Sequence, residues 1–210
     1  MSDRQWAVLG MSLAVLGIVI TMIGLLTGCA TPVSLPPPVA APGTELSGNG
    51  LRAVAYTNPP TVTGAYAAAC SVRILAGRQL PDPACTPGSI AVGSDQAPMI
   101  CRSGWTETVR PSSAVTERVK TAAMRAYRIP ESQRARVELD HLVPLVLGGS
   151  NDVTNLWPQL SDLPGVGFLN SKDAVESALG RAVCAGKVDL ATAQRAIALD
   201  WTTARAVISP

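Results

Sequence analysis

Glu138-Leu139-Asp140-His141-Leu142-Val143-Pro144-Leu145-Val146-Leu147-Gly148-Gly149-Ser150-Asn151-Asp152 runs on through Val153-Thr154 to Asn155-Leu156-Trp157-Pro158-Gln159, and the reading of this stretch decides the fold. His141 is the only histidine of the chain. It directly follows an aspartate and stands between two short apolar runs. Asn155, fourteen residues on, opens a second apolar segment. Pro144, Gly148-Gly149 and Asn151-Asp152 lie between them, all turn formers. The pattern predicts strand, long loop, strand, with polar groups at the strand ends.

Helices are expected on both sides. After Gln159 comes a loop with Pro164, Gly165 and Gly167, then a helix from about Ser171. Ala174, Val175, Ala178, Leu179, Ala182 and Val183 form its apolar stripe, and Gly186 is placed to end it. Asp189 caps a last helix with Leu190, Ala193, Ile197 and Trp201 on its inner face. Upstream, Gly104–Arg110 reads as a short strand that stops at Pro111. Ser112 or Ser113 caps a helix to about Tyr127, with Val115, Val119, Ala122, Ala123 and Ala126 at helical spacing. Within 110–136 stand Arg110, Arg118, Lys120, Arg125, Arg128, Arg134 and Arg136, against only Glu117 and Glu131. Such a surface can hold a phosphate backbone. It can equally be an ordinary solvated helix face.

Asp140-His141, Asn155 and a helix from about Lys172 together resemble the HNH nuclease superfamily, also called the ββα-metal or His-Me finger fold. More narrowly, Glu-Leu-Asp-His, Pro-Leu, Gly-Gly and Asn-Leu-Trp-Pro-Gln look like a group of small bacterial HNH-like proteins, over roughly residues 101–204. The resemblance implies His141 as general base, Asp140 as metal ligand, and Asn155 as the group that fixes the loop or orients the imidazole. A further ligand is expected near the start of the closing helix. No second histidine stands there; Asn170 is the nearest suitable residue and Asp173 the next. An oxygen-rich site favours a divalent ion, magnesium first, with manganese or calcium as alternatives. The implied partner is nucleic acid, DNA before RNA, bound without sequence preference by Arg125, Arg128, Arg134 and Arg136. Gly148-Gly149 lacks the helix and lysine of a phosphate loop, so no nucleotide cofactor is expected. Glu138 reads as a solvated strand residue or, less simply, as a partner of the site. Trp157 reads as core.

The N-terminus sets the compartment. Residues 6–28 are almost wholly apolar and end in Leu26-Thr27-Gly28-Cys29, which looks like a lipobox with Cys29 as the lipidated residue. An uncleaved membrane helix is the alternative. Either places the rest outside the cytoplasm, as part of a bacterial cell envelope protein tethered through lipid or helix. Cys70, Cys85, Cys101 and Cys184 then remain, and an even number in an oxidising compartment implies two disulfides. Four cysteines allow three pairings. Their spacing lacks the paired CxxC of a zinc site.

The expected organisation is a signal or anchor over 1–29, a Pro-rich linker and irregular segment over 30–65, and one HNH-like domain over 66–210. The fold class expected is α+β: a small ββα-metal core with additional helices, braced by disulfides. Net charge is only +2, so binding to nucleic acid would rest on the local basic segment and be salt-sensitive. Two functions are compatible with this reading. One is a membrane-tethered, metal-dependent endonuclease acting on phosphodiesters. The other is a non-catalytic envelope lipoprotein that keeps the scaffold as a binding or structural module.

Overall fold

The computed structural model describes residues 49–66, 69–165 and 167–208. Cys29, the apolar segment before it and residues 30–48 lie outside the described residues. The chain is a mixture of short strands and helices. In order these are β1 (Arg52–Ala53), β2 (Arg73–Leu75), β3 (Arg78–Leu80), β4 (Ser89–Ile90), α1 (Ala97–Ile100), α2 (Trp105–Val109), α3 (Ser113–Ala126), β5 (Val137–His141), β6 (Leu156–Leu160), α4 (Lys172–Cys184) and α5 (Leu190–Asp200).

The decisive stretch forms an antiparallel hairpin. Val137 pairs with Leu160, Asp140 with Trp157 and His141 with Leu156. Pro158 is tolerated in β6 because this sheet has only two strands, so no third strand needs its missing N–H. The loop between the strands is closed rather than loose. Asn155 is wholly buried. Its Oδ1 accepts from the Val143 amide at 2.9 Å, and its Nδ2 donates to the carbonyls of Val143 at 2.9 Å and Ser150 at 3.0 Å. Gly149 is required by that closeness: a Cβ there would fall 1.7 Å from the Val143 carbonyl oxygen. Gly148 ends a 3-10 turn over Leu145–Leu147 at φ +72°, a left-handed conformation that suits glycine.

The core lies below this hairpin. Val143 and Leu147 from the loop meet Ile90 and Val92, then Val175, Leu179, Ala182 and Val183 of α4, and Leu190, Ala193, Ile197 and Trp201 of α5. The stripes expected on α4 and α5 are therefore the buried faces, except that Ala174 is exposed. Asp189 caps α5 by accepting from the Thr192 amide at 2.8 Å. Gly186 follows α4 at φ +67°.

Two elements differ from the sequence reading. Residues 105–109 form helix α2, not a strand. Trp-Thr-Glu-Thr-Val has strand-like composition, but Gly104 turns left-handed at φ +77° and starts a helical turn there. Trp105 Nε1 then donates to the Leu145 carbonyl at 3.2 Å, while Val109 is buried. Tertiary packing overrides local propensity here. On α3 the buried residues are Lys120, Ala123 and Met124, whereas Ala122 is exposed and Val115 and Val119 only half-buried.

Residues 52–63, assigned from sequence to the linker and irregular segment, are bound to the motif loop. β1 pairs with β4 in parallel, and Thr63 bridges to Asp152. Arg52 forms an ion pair with Asp152, and Tyr56 donates to the Gly149 carbonyl at 2.6 Å. Two disulfides are present, Cys70–Cys85 and Cys101–Cys184. They fit an oxidising, extracytoplasmic setting. Among the described residues no helix is long and apolar enough to cross a membrane.

Candidate functional site

β5 ends in the two residues that matter most. Asp140 is buried beneath the sheet. Its Oδ2 accepts from Trp157 Nε1, directly across the hairpin, at 2.8 Å. The same oxygen lies 2.9 Å from Lys172 Nζ. Lys172 has no exposed side-chain surface, and its ammonium also donates to the His141 carbonyl at 2.7 Å and pairs with Glu176. Burial opposes that ammonium, but Asp140 and Glu176 outweigh it and hold Lys172 above its ordinary value. Trp157 is core, as expected, and also a donor to the site.

His141 is held from the loop. Its Nε2 lies 2.9 Å from Asn151 Oδ1. Asn151 Nδ2 donates to the Val109 carbonyl at 2.8 Å, which fixes which end of the amide faces the imidazole. A carbonyl-type oxygen accepts, so Nε2 carries the hydrogen and Nδ1 keeps the lone pair. Burial pushes the imidazole down to about 4, against 6.5 for a free histidine. At neutral pH it is therefore an uncharged base with one defined basic nitrogen. The residue that orients the imidazole is Asn151; Asn155 fixes the loop. Asn151 reads from sequence only as a turn former, because its second contact comes from Val109, 42 positions upstream.

Acidic groups gather along the same edge. Glu138, Asp140, Asp173 and Glu176 line one small cavity of about 80 Å³ together with Arg110 and His141. Burial pushes Glu138 up to about 7, helped by the nearby charges of Asp140 and Asp173. Burial likewise pushes Glu176 up to about 7, and raises Asp173. Glu138 is thus not a solvated strand residue. It accepts from Asn170 Nδ2 at 2.9 Å, while Asn170 Oδ1 is buried without a hydrogen-bond partner.

The donors suited to a cation are therefore all oxygens, which matches a hard divalent ion. Asn170 adjoins the cluster through Glu138, and Asp173 lines the cavity directly. The surplus of carboxylates fits a cation at this edge; Asn170 turns its amide nitrogen toward Glu138 and is not among the cavity's lining. As the side chains stand, no three His, Cys, Asp or Glu among the described residues converge into a metal-binding group.

The four arginines expected to hold nucleic acid are spread out. Arg134 is committed to Glu117 at 2.6 Å and Glu131 at 3.3 Å. Arg136 donates to the Ser161 carbonyl at 3.2 Å. Arg125 lines an apolar groove between α3 and a segment that includes Val62, Tyr66 and Ala69, and Arg128 is exposed beyond the end of α3. The basic residues that line cavities with His141 are Arg110 and Lys120. No protein-family model matches this chain, and no match was found among curated proteins or solved structures.

Proposed function

We propose that this protein is an extracytoplasmic, membrane-tethered endonuclease of HNH type that hydrolyses phosphodiester bonds in nucleic acid. The observation that carries the reading is the imidazole of His141: neutral, fixed by Asn151 in the Nε2–H form, and lining a cleft rich in carboxylates. A base so arranged can take the proton of a water through Nδ1 as that water attacks phosphorus.

The hairpin of β5 and β6 followed by α4 supplies the strand–strand–helix order that the HNH resemblance requires. A divalent ion would be held by Asp140 with Asn170 or Asp173, magnesium before manganese or calcium, and would offset charge on the phosphate and the departing oxygen. Lys172 holds Asp140 and the His141 backbone in register beneath that edge. Tethering is assigned to Cys29 and the apolar segment before it.

One observation favours a second reading. The Lys172 ammonium already sits between Asp140 and Glu176, where it neutralises part of the charge a metal would. A scaffold kept for binding in the envelope, with no catalysis, is compatible with that arrangement.

Plasmid cleavage by the purified full chain in mild detergent separates the two. The nuclease reading expects cleavage with magnesium or manganese, none in EDTA, and none from His141→Ala with any metal. A folded wild-type chain that leaves plasmid intact under all these metals supports the non-catalytic reading. Tethering is checked separately: palmitate label incorporated by the wild type should be lost in Cys29→Ser.

A further inference from the structure

A cavity of about 250 Å³ opens on the other side of His141, between β5 and the first half of α3. Arg110, Glu117, Lys120, Glu138, His141 and Phe168 are among its lining. Lys120 is the unusual member, because it is only 5% exposed. Long cations are rarely buried unless paired. Yet this ammonium has neither a hydrogen bond nor an ion pair among the described residues; it lies against the Phe168 ring, 4.4 Å from Nζ to the ring centre.

The carboxylates that could have taken it are engaged elsewhere. Glu117 pairs with Arg134 at 2.6 Å, and Glu138 takes the Asn170 amide at 2.9 Å. Burial lowers Lys120 below its ordinary value, against the opposing charges of Glu117, Glu138 and Glu131, none of which comes within ion-pairing distance. Its Nζ is not among the sealed, unsatisfied atoms of the interior, so it keeps access to the cavity.

Two further features face the same space. α3 runs for 14 residues from Ser113, and its N-cap Ser112 makes no side-chain bond back to the helix. The Val115 and Thr116 amides donate to the Ser112 carbonyl, but Ser113, the first residue of the helix, lines the cavity and brings the positive end of the helix to its wall. Arg110 lines the cavity, and its charge reaches the imidazole of His141.

We infer that this cavity is a phosphate subsite, in which Lys120, Arg110 and the first turn of α3 hold the phosphodiester adjacent to the one that His141 acts on. The inference rests on the nuclease reading and sharpens it. Recognition is assigned to the two cations beside the base, not to the arginines further along the chain. The Phe168 ring lies against the ammonium without neutralising it, and the nearby carboxylates of Glu117 and Glu138 are bonded to Arg134 and Asn170, which leaves the ammonium's hydrogens for the ligand.

The test uses the full chain carrying His141→Ala, so that binding is read without cleavage. Its affinity for a fluorescent 12-nucleotide single-stranded DNA is measured by anisotropy at several salt concentrations. Lys120→Met, which keeps the buried stem, should weaken binding several-fold and reduce the salt slope by about 0.7, one phosphate contact on a single strand. Lys120→Arg should keep the slope. Unchanged affinity and slope in both Lys120→Met and Arg110→Gln would overturn the subsite while the nuclease reading stands. Failure of the His141→Ala parent to bind any oligonucleotide would overturn the subsite together with the reading beneath it. If Lys120→Met loses its native circular dichroism, the exposed Arg110→Gln carries the same slope measurement.

Discussion

At the scale of single residues, the pH behaviour of His141 follows from its burial. The folded imidazole titrates at about 4 and the free one at 6.5. Between those values the unfolded chain binds more protons than the folded one, so this group stabilises fully above pH 6.5 and loses its contribution as pH falls toward 4. The difference in unfolding free energy between wild type and His141→Ala should therefore grow by roughly 3 kcal/mol as pH rises across that window. Urea melts of both proteins at pH 4.5, 5.5 and 7 check it; a constant difference would show an ordinary, solvated imidazole. Cleavage should keep an acid limb below pH 5 instead of near 6.5. Asn151→Ala removes the acceptor that fixes the tautomer, so kcat should drop about ten- to hundredfold with KM nearly unchanged. Equal activity in that variant would remove Asn151 from the site. Asp140 and His141 stand out in the sequence through a resemblance to the HNH pattern, carried by the pair together with Asn155 fourteen residues on, all of it local. The sequence does not point to Asn151, whose function depends on the carbonyl of Val109, brought in by a turn of helix that the local composition disguises as strand.

At the scale of elements, α4 locks the hairpin through one side chain. Lys172 spans Asp140, the His141 carbonyl and Glu176 from inside the protein. A buried cation costs several kcal/mol to desolvate and is retained only when its partners are good. Removing it leaves two carboxylates without their counter-charge. Lys172→Met should lower stability by about 3–5 kcal/mol at pH 7. The loss should grow from pH 7 to pH 9, because Glu176, pushed up to about 7 even with the ammonium beside it, ionises over that window only while Lys172 is there to pair with it. Chemical denaturation at the two pH values reads the difference, and an equal loss at both would mean that packing, not charge, is what Lys172 supplies. The hairpin and the last two helices are legible because their signals are local: short apolar runs around a string of turn formers, a stripe on α4 and α5, and Asp189 and Gly186 at helix ends. The burial of Lys172 was not legible, since a lysine beside Asp173 at the start of a helix reads as solvated until Asp140 is placed under it.

At the scale of the whole molecule, the two disulfides do different work. Cys70–Cys85 closes 15 residues and ties the loops near β2 and β3. Cys101–Cys184 closes 83 residues, joining the segment before α2 to the last turn of α4. Everything that forms the site, from Arg110 to Glu176, lies within that larger loop. In the chain-entropy account a cross-link stabilises by restricting the unfolded chain, in proportion to the logarithm of the loop. The expected contributions are about 3 kcal/mol for the short loop and about 4.5 kcal/mol for the long one. The strands are too short to offset a loss of that size: among the described residues the sheets have two strands each, and four of the six strands, β1 to β4, have three residues or fewer. Replacing Cys101 and Cys184 together with alanine should therefore lower the midpoint of thermal unfolding further than replacing Cys70 and Cys85, and should loosen the cleft as well as the fold. Differential scanning calorimetry of the two double variants gives the first comparison, and protection of the Leu142 and Val143 amides against hydrogen exchange gives the second. Those amides are bonded to the Asn155 carbonyl and side chain at 2.8 and 2.9 Å. They should exchange faster in Cys101→Ala/Cys184→Ala and keep their protection in Cys70→Ala/Cys85→Ala. The reverse order would mean that the site is braced by its own loop network and that the long cross-link serves only the periphery.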